Sequence, residues 1–186
     1  MKTAFIFLLC IAGLNASEVE TMVTGFYAKG ALEIRGTVDQ KEVETALASL
    51  TPSFRAAIVT AQRTVEEWRK AAKRNPEIFR DLKPPPGEGP LFTSVYEGGR
   101  FTKIENARVA GDRAYVTVRV AGLVPANSDY SWTDILILHQ VDGKWMIDDI
   151  LSNSGSGRPT SIRYRHDYPK PPTAEQASGG NGGQRR

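Results

Sequence analysis

The chain has 186 residues, 40% of them hydrophobic and 24% charged, with 24 lysines and arginines against 21 acids. That size and balance fit one globular domain around one core and exclude a disordered or fibrous chain. The single cysteine, Cys10, excludes a disulfide framework and a cysteine metal site.

The first residues, MKTAFIFLLCIAGLNAS, place one charge at Lys2 ahead of an uncharged apolar run from Ala4 to Leu14, followed by small and polar residues. That is the layout of a secretory signal over 1–16, with cleavage expected after Ala16. The run is shorter than the roughly 20 residues that span a bilayer, so no integral membrane segment is expected after cleavage. Cleavage also removes Cys10. Export without disulfides fits the bacterial envelope better than a small animal secreted domain. A periplasmic or secreted protein is expected.

One domain is expected over 17–154. Val19, Met22, Val23, Phe26, Tyr27 and Ile34 recur at three- and four-residue spacing and predict an opening amphipathic helix. Asp39, with Glu42 three residues on, predicts the start of a second helix carrying Val43, Ala46, Leu47 and Leu50. Thr51 as cap and Pro52 at the first position predict a third helix over 52–74. Its apolar stripe is Phe54, Ile58, Ala61, Val65, Trp68 and Ala72, and Pro76 stops it near Asn75.

KPPPGEGP, 83–90, is a break, and beyond it the apolar period changes from 3.6 to 2. Strands are predicted from Phe101 to Val109, across Ala114 to Val120, from Trp132 to Val141 and from Lys144 to Leu151. A turn at 110–112 joins the first pair, a longer loop, VPANSDYS, the second, and the Asp142–Gly143 hairpin the third. The strand at 132–141 is apolar on both faces at its centre. Helices followed by an antiparallel meander define an α+β fold, with N-terminal helices packed on one sheet face.

Residues 155–186 are rich in Pro, Gly and Ser and poor in apolar groups, and read as a disordered basic tail. Six Lys or Arg there stand against two acids, so the chain's positive excess lies on the tail. A nucleic-acid-binding domain clusters such charge on a folded face. No nucleic-acid partner is therefore expected.

The opening helix with Phe26 and Tyr27, the long helix, the proline-rich break and a meander ending in GKWMIDDI resemble the nuclear transport factor 2-like superfamily. Over about 19–152 the chain looks like its bacterial exported branch, domain of unknown function 3828. The resemblance implies a curved antiparallel sheet wrapped around the helices as a cone, with any site at its mouth. The superfamily contains isomerases, dehydratases and non-catalytic binding or scaffolding domains, so the resemblance assigns no activity.

Trp145, Ile147, Asp149 and Leu151 are expected on one face of the last strand, and Met146, Asp148 and Ile150 on the other. Either aspartate, buried beside apolar side chains, would become a usable acid or base. The competing reading leaves each near a strand end, solvated or accepting backbone N–H bonds. His139 and Asp134 are five residues apart, hence on opposite faces, and form no dyad. Tyr27, Tyr96, Tyr115, Tyr130, Trp132 and Trp145 are candidates to line an apolar cleft, and equally core aromatics. The cone geometry implied by the resemblance puts Tyr27 opposite Trp145 and Asp149, with Trp132 and Tyr130 as further lining. No metal site and no cofactor is expected.

Three readings stay open. The first is an exported non-catalytic domain that binds a small apolar molecule or an envelope protein, with a homodimer through the two-sided strand. The second is an inhibitor, immunity-type factor or accessory subunit of an envelope assembly. The third is an acid–base isomerase or dehydratase using Asp149 with Tyr27.

Overall fold

The structure, a computed structural model, describes residues 16–32, 40–80, 91–93, 99–122, 131–152, 159–165 and 170–172. Residues 1–15 of the expected signal, Ile34, the expected Asp39 cap, the break at 83–90, Tyr96 and Tyr130 lie outside these ranges.

The stripe of the first helix is borne out in α1, 16–28, where Val19, Val23, Phe26 and Tyr27 are buried. Helix α2, Gln40–Leu47, buries Val43, Ala46 and Leu47. Helix α3 spans Pro52–Arg74, with Thr51 Oγ1 accepting the Phe54 N–H at 3.3 Å and Asn75 at the C-cap. Thr–Pro at the start and Asn–Pro at the end fix both limits locally, because one supplies the missing acceptor and the other forbids continuation. A short helix α4, Pro76–Phe79, then folds Phe79 edge-on against Trp68, with ring centroids 5.4 Å apart.

The sheet contains β1 (Gly99–Ala110), β2 (Arg113–Gly122), β3 (Ser131–Val141), β4 (Lys144–Ser152) and β5 (Thr160–Ser161), all antiparallel neighbours in chain order. Asp142 and Gly143 both adopt positive φ, 50° and 76°, the conformation a two-residue hairpin with strand-matched twist requires. The fold is α+β, with N-terminal helices and an open five-stranded antiparallel sheet.

One face of this sheet meets the helices. Ala114, Val116, Val118 and Val120 of β2, Leu136 and Leu138 of β3, and Ile147 and Ile150 of β4 are all inaccessible to solvent. They join Phe26, Leu50, Phe54, Ile58 and Phe92 in one continuous core. The opposite face carries Tyr115, Ile135, Ile137, Met146 and Leu151, exposed or half-buried. Strand β3 is thus apolar on both sides, as its sequence predicts.

The face assignment for β4 needs correction. Leu138 pairs with Ile147, but Ile137 pairs with Asp149, so Asp148 faces no residue of β3. This one-residue bulge inverts the alternation downstream. Trp145, Ile147, Ile150 and Ser152 share the helix-facing side, while Asp149 and Leu151 turn to the outer side with Met146. Asp149 and Trp145 therefore do not share a face.

Within the segment expected as a tail, 159–165 and 170–172 are described. Residues 160–161 pair with β4, and Ile162, opening the short helix α5 (Ile162–Arg165), is 1% exposed within the core. Burying that side chain contributes roughly 1.5–3 kcal/mol, enough to dock a few residues of an otherwise polar segment. On the same margin of β4, Thr51 N–H donates to the Ile147 carbonyl at 2.8 Å and Ile147 N–H to the Ser49 carbonyl at 2.9 Å. Two short pieces, 49–51 and 160–161, thus line one edge of β4.

Asp148 joins them. Its Oδ1 accepts from Thr51 Oγ1 at 2.7 Å and Ser53 Oγ at 3.2 Å, and its Oδ2 meets Arg163 Nη1 at 3.3 Å. Thr51→Ala removes a helix cap and a donor to this carboxylate together, and is expected to cost about 1–2 kcal/mol in urea unfolding. Thr51→Ser, which keeps the hydroxyl, is expected to stay within about 0.5 kcal/mol of the parent.

Candidate functional site

Helix α1 crosses the helix-facing side of the sheet beside edge strand β1, where the Tyr27 ring stacks on Phe101 with centroids 5.3 Å apart and planes 12° from parallel. Along this seam α1 presents Ser17, Thr21, Thr24, Gly25 and Ala28 together with Glu20 and Tyr27. Two open depressions lie between helix and strand. One, of about 280 Å³, is lined by residues including Tyr27, Gly30, Leu32, Gly99 and Arg100. The other, of about 590 Å³, is lined by residues including Glu20, Gly25, Lys103 and Ile104. Both also touch Thr24 and Phe101, so they form one groove along α1.

Strand β1 shapes its wall. Phe101 pairs with Val120, Lys103 with Arg119, Ile104 with Val118 and Asn106 with Thr117, leaving Thr102 and Glu105 unmatched. The Thr102 hydroxyl donates to the Arg119 carbonyl at 2.8 Å, and Glu105 accepts from the Arg119 guanidinium at 2.6 Å. Two bulges thus bend this edge and keep Phe101 and Ile104 both facing the helix side.

Behind Tyr27 lies a polar island in the core. Asp134, fully buried, sits on the inner phase of β3 between Val118 and Ser152, and Thr93 Oγ1 donates to its Oδ2 at 2.8 Å. The Tyr27 hydroxyl and Ser152 Oγ are buried with no hydrogen-bond partner among the described residues. Burial, and secondarily the negative charge of Asp134, push the Tyr27 phenol well above its ordinary value of 10.0. Asp134 and His139 lie on opposite faces, as their spacing predicts. The available signal was an acid at the core phase Trp132, Asp134, Leu136, Leu138.

The four described residues of the five expected to line a pocket are not brought together. Tyr27 lines the groove, and Trp132, packed against the core, lies at the same end of the sheet, in the row Phe101–Val120–Trp132. Trp145 pairs with Gln140, eight residues further along β3 and so roughly 26 Å away. Asp149 is on the other face and Tyr130 is outside the described residues. The Asp149 carboxylate accepts the Ile150 N–H at 2.7 Å, the Arg163 N–H at 3.1 Å and the Ser161 hydroxyl at 2.5 Å. That is the backbone-capping alternative the sequence left open, and it gives Asp149 a structural task.

Among the described residues no three His, Cys, Asp or Glu are grouped to hold a metal ion, and no helix is long and apolar enough to cross a membrane. Comparison with protein-family models finds no match, and comparisons with curated proteins and with solved structures find none either.

Because its hydroxyl is buried without a partner, Tyr27→Phe is expected to be neutral or stabilising by up to about 1 kcal/mol in urea unfolding. Alkaline pH separates the two proteins further. A phenol whose folded value is raised contributes stability that is intact below the unfolded value and lost as pH rises past it. The parent is thus expected to lose stability above about pH 10. Tyr27→Phe should lose less over the same range.

Proposed function

We propose that this is an exported, non-catalytic binding domain of the nuclear transport factor 2-like type, whose groove between α1 and β1 holds a small, largely apolar molecule with an acidic group. The order of helices before an antiparallel meander supports the superfamily reading, and the apolar run at 4–14 supports export. The observation that carries the binding site is Gly25. A glycine inside a helix costs roughly 0.5–1 kcal/mol relative to alanine. Close packing does not require this one, because a Cβ built there meets nothing within 4 Å. Its missing side chain keeps the groove open beside Thr24, Phe101 and Ile104. Tyr27 and Phe101 offer a stacked aromatic floor, and Arg100 and Lys103 supply cations for an acidic group.

The test uses 1-anilinonaphthalene-8-sulfonate, an apolar fluorophore with an acidic group, as probe. Gly25→Leu, which fills the groove from an open position, is expected to weaken its binding about tenfold, since it displaces roughly one ring's worth of contact. Gly25→Ala is expected to raise stability by roughly 0.5–1 kcal/mol. Equal dye affinity in the parent and Gly25→Leu would sink the assignment.

A further inference from the structure

The outer sheet face has its own pattern, read from the strand register in rows across the sheet. Arg113, His139 and Met146 form one row. Arg108, Tyr115, Ile137 and Asp149 form the next, and Asn106, Thr117, Ile135 and Leu151 a third. Lys103, Arg119 and Thr133 close one end, and Val141 with Lys144 the other. The centre is therefore apolar and the margin cationic.

Tyr115 is 39% exposed, one of two large hydrophobic side chains that stand out so far among the described residues. Ile135, Ile137, Met146 and Leu151 around it are half-buried, while Lys103, Arg108, Arg113 and Lys144 are exposed. Two acids of these strands are already engaged. Glu105 is paired with Arg119, and Asp149 accepts three hydrogen bonds from β4, β5 and α5. An apolar centre with a charged rim is the anatomy of a protein–protein contact. Exposed Asp112 and Asp142 stand in the turns beside Arg113 and Lys144, and with Lys103 and Arg108 the cations outnumber them.

We infer that the outer face of β1–β4 docks an acidic protein segment, which lays apolar side chains over Tyr115, Ile135 and Ile137 and sets carboxylates against Arg108, Arg113, Lys103 and Lys144. Charge complementarity selects this occupant. A second copy placed face to face would set cationic margins against each other, which disfavours association. A single-stranded nucleic acid is favoured by several stacking aromatics, and among the described residues this face carries one phenyl-type ring, Tyr115. Lys103, on edge strand β1, borders both this surface and the groove between α1 and β1, and the remaining residues named here lie outside that groove.

The test is methyl-labelled NMR of the full chain with three probes: a random copolymer of glutamate and tyrosine, an oligothymidylate, and phosphatidylglycerol vesicles. The copolymer is expected to shift the methyl signals of Ile135, Ile137, Met146 and Leu151 while leaving core methyls such as Ile58 in place. Arg108→Glu with Arg113→Glu, both at exposed positions, should weaken copolymer binding about tenfold or more, and added salt should weaken it further. Lys70→Glu with Lys73→Glu on α3 should change it less than about twofold. The inference is overturned if the copolymer leaves the four methyl groups unmoved or if the α3 reversal weakens binding as much. It is equally overturned if the signals move with protein concentration alone, which marks a second copy. Tighter binding of the oligonucleotide or the vesicles, lost in Arg108→Glu/Arg113→Glu, overturns it in favour of those partners.

Discussion

The extra residue at Asp148 is the constraint on which the arrangement depends. A strand that kept strict alternation would place Asp149 and Leu151 under the helices and turn Ile150 outward. The bulge instead delivers Ile150 and Ser152 to the core and frees two carboxylates to act at the sheet margin. One binds the hydroxyls that open α3 and the other gathers N–H and O–H donors from 150–163. A local irregularity of one residue thereby fastens the long helix, the last long strand and the C-terminal segment together. Each carboxylate is held by hydrogen bonds to its charged form, which are stronger than neutral ones.

The inner and outer faces then take different characters. Inside, the side chains close-pack except where Asp134 and two hydroxyls interrupt the apolar core. Unpartnered buried hydroxyls each cost on the order of 1–3 kcal/mol, so the island is a net burden on stability. It lies behind Tyr27, whose ring lines the groove. The small residues of α1 and the twice-bulged strand β1 both line that groove. Outside, the apolar centre of β3 is framed by arginine and lysine from its neighbours. The two faces thus offer separate chemistries on one sheet.

Much of this was legible in the sequence where a local rule decides. Thr51–Pro52 and Asn75–Pro76 set the ends of α3, and Asp142–Gly143 sets its hairpin. The antiparallel meander followed from period-two runs. The bulge was not recognised, because counting alternate positions assumes that no residue is inserted. Its trace is nevertheless present: apolar residues run 145, 147, then 150, a gap of three in a strand. The same gap occurs at 101, 104 and 107 in β1, where Thr102 and Glu105 are the unmatched residues. The docked segment at 160–163 escaped notice for a different reason. Composition averaged over a long polar tail hides one isoleucine with neighbours of the right polarity. Asp134 was visible on the page, but strand phase alone does not say which face the helices cover.

The hydrogen bond from Thr51 to Asp148 spans 97 positions, and the carboxylate beside it is completed only by residues 161–163. Such separation makes assembly slow relative to local folding, since distant chain must be gathered before any bond rewards it. During synthesis the helices emerge early, and Ser49 and Thr51 can meet β4 at Ile147 as soon as that strand is made, whereas Leu151 and Ser152 gain their partners only when 160–161 follow. The last stretch of β4 is therefore completed late, and a chain halted before residue 160 would leave that short stretch of strand edge unpaired.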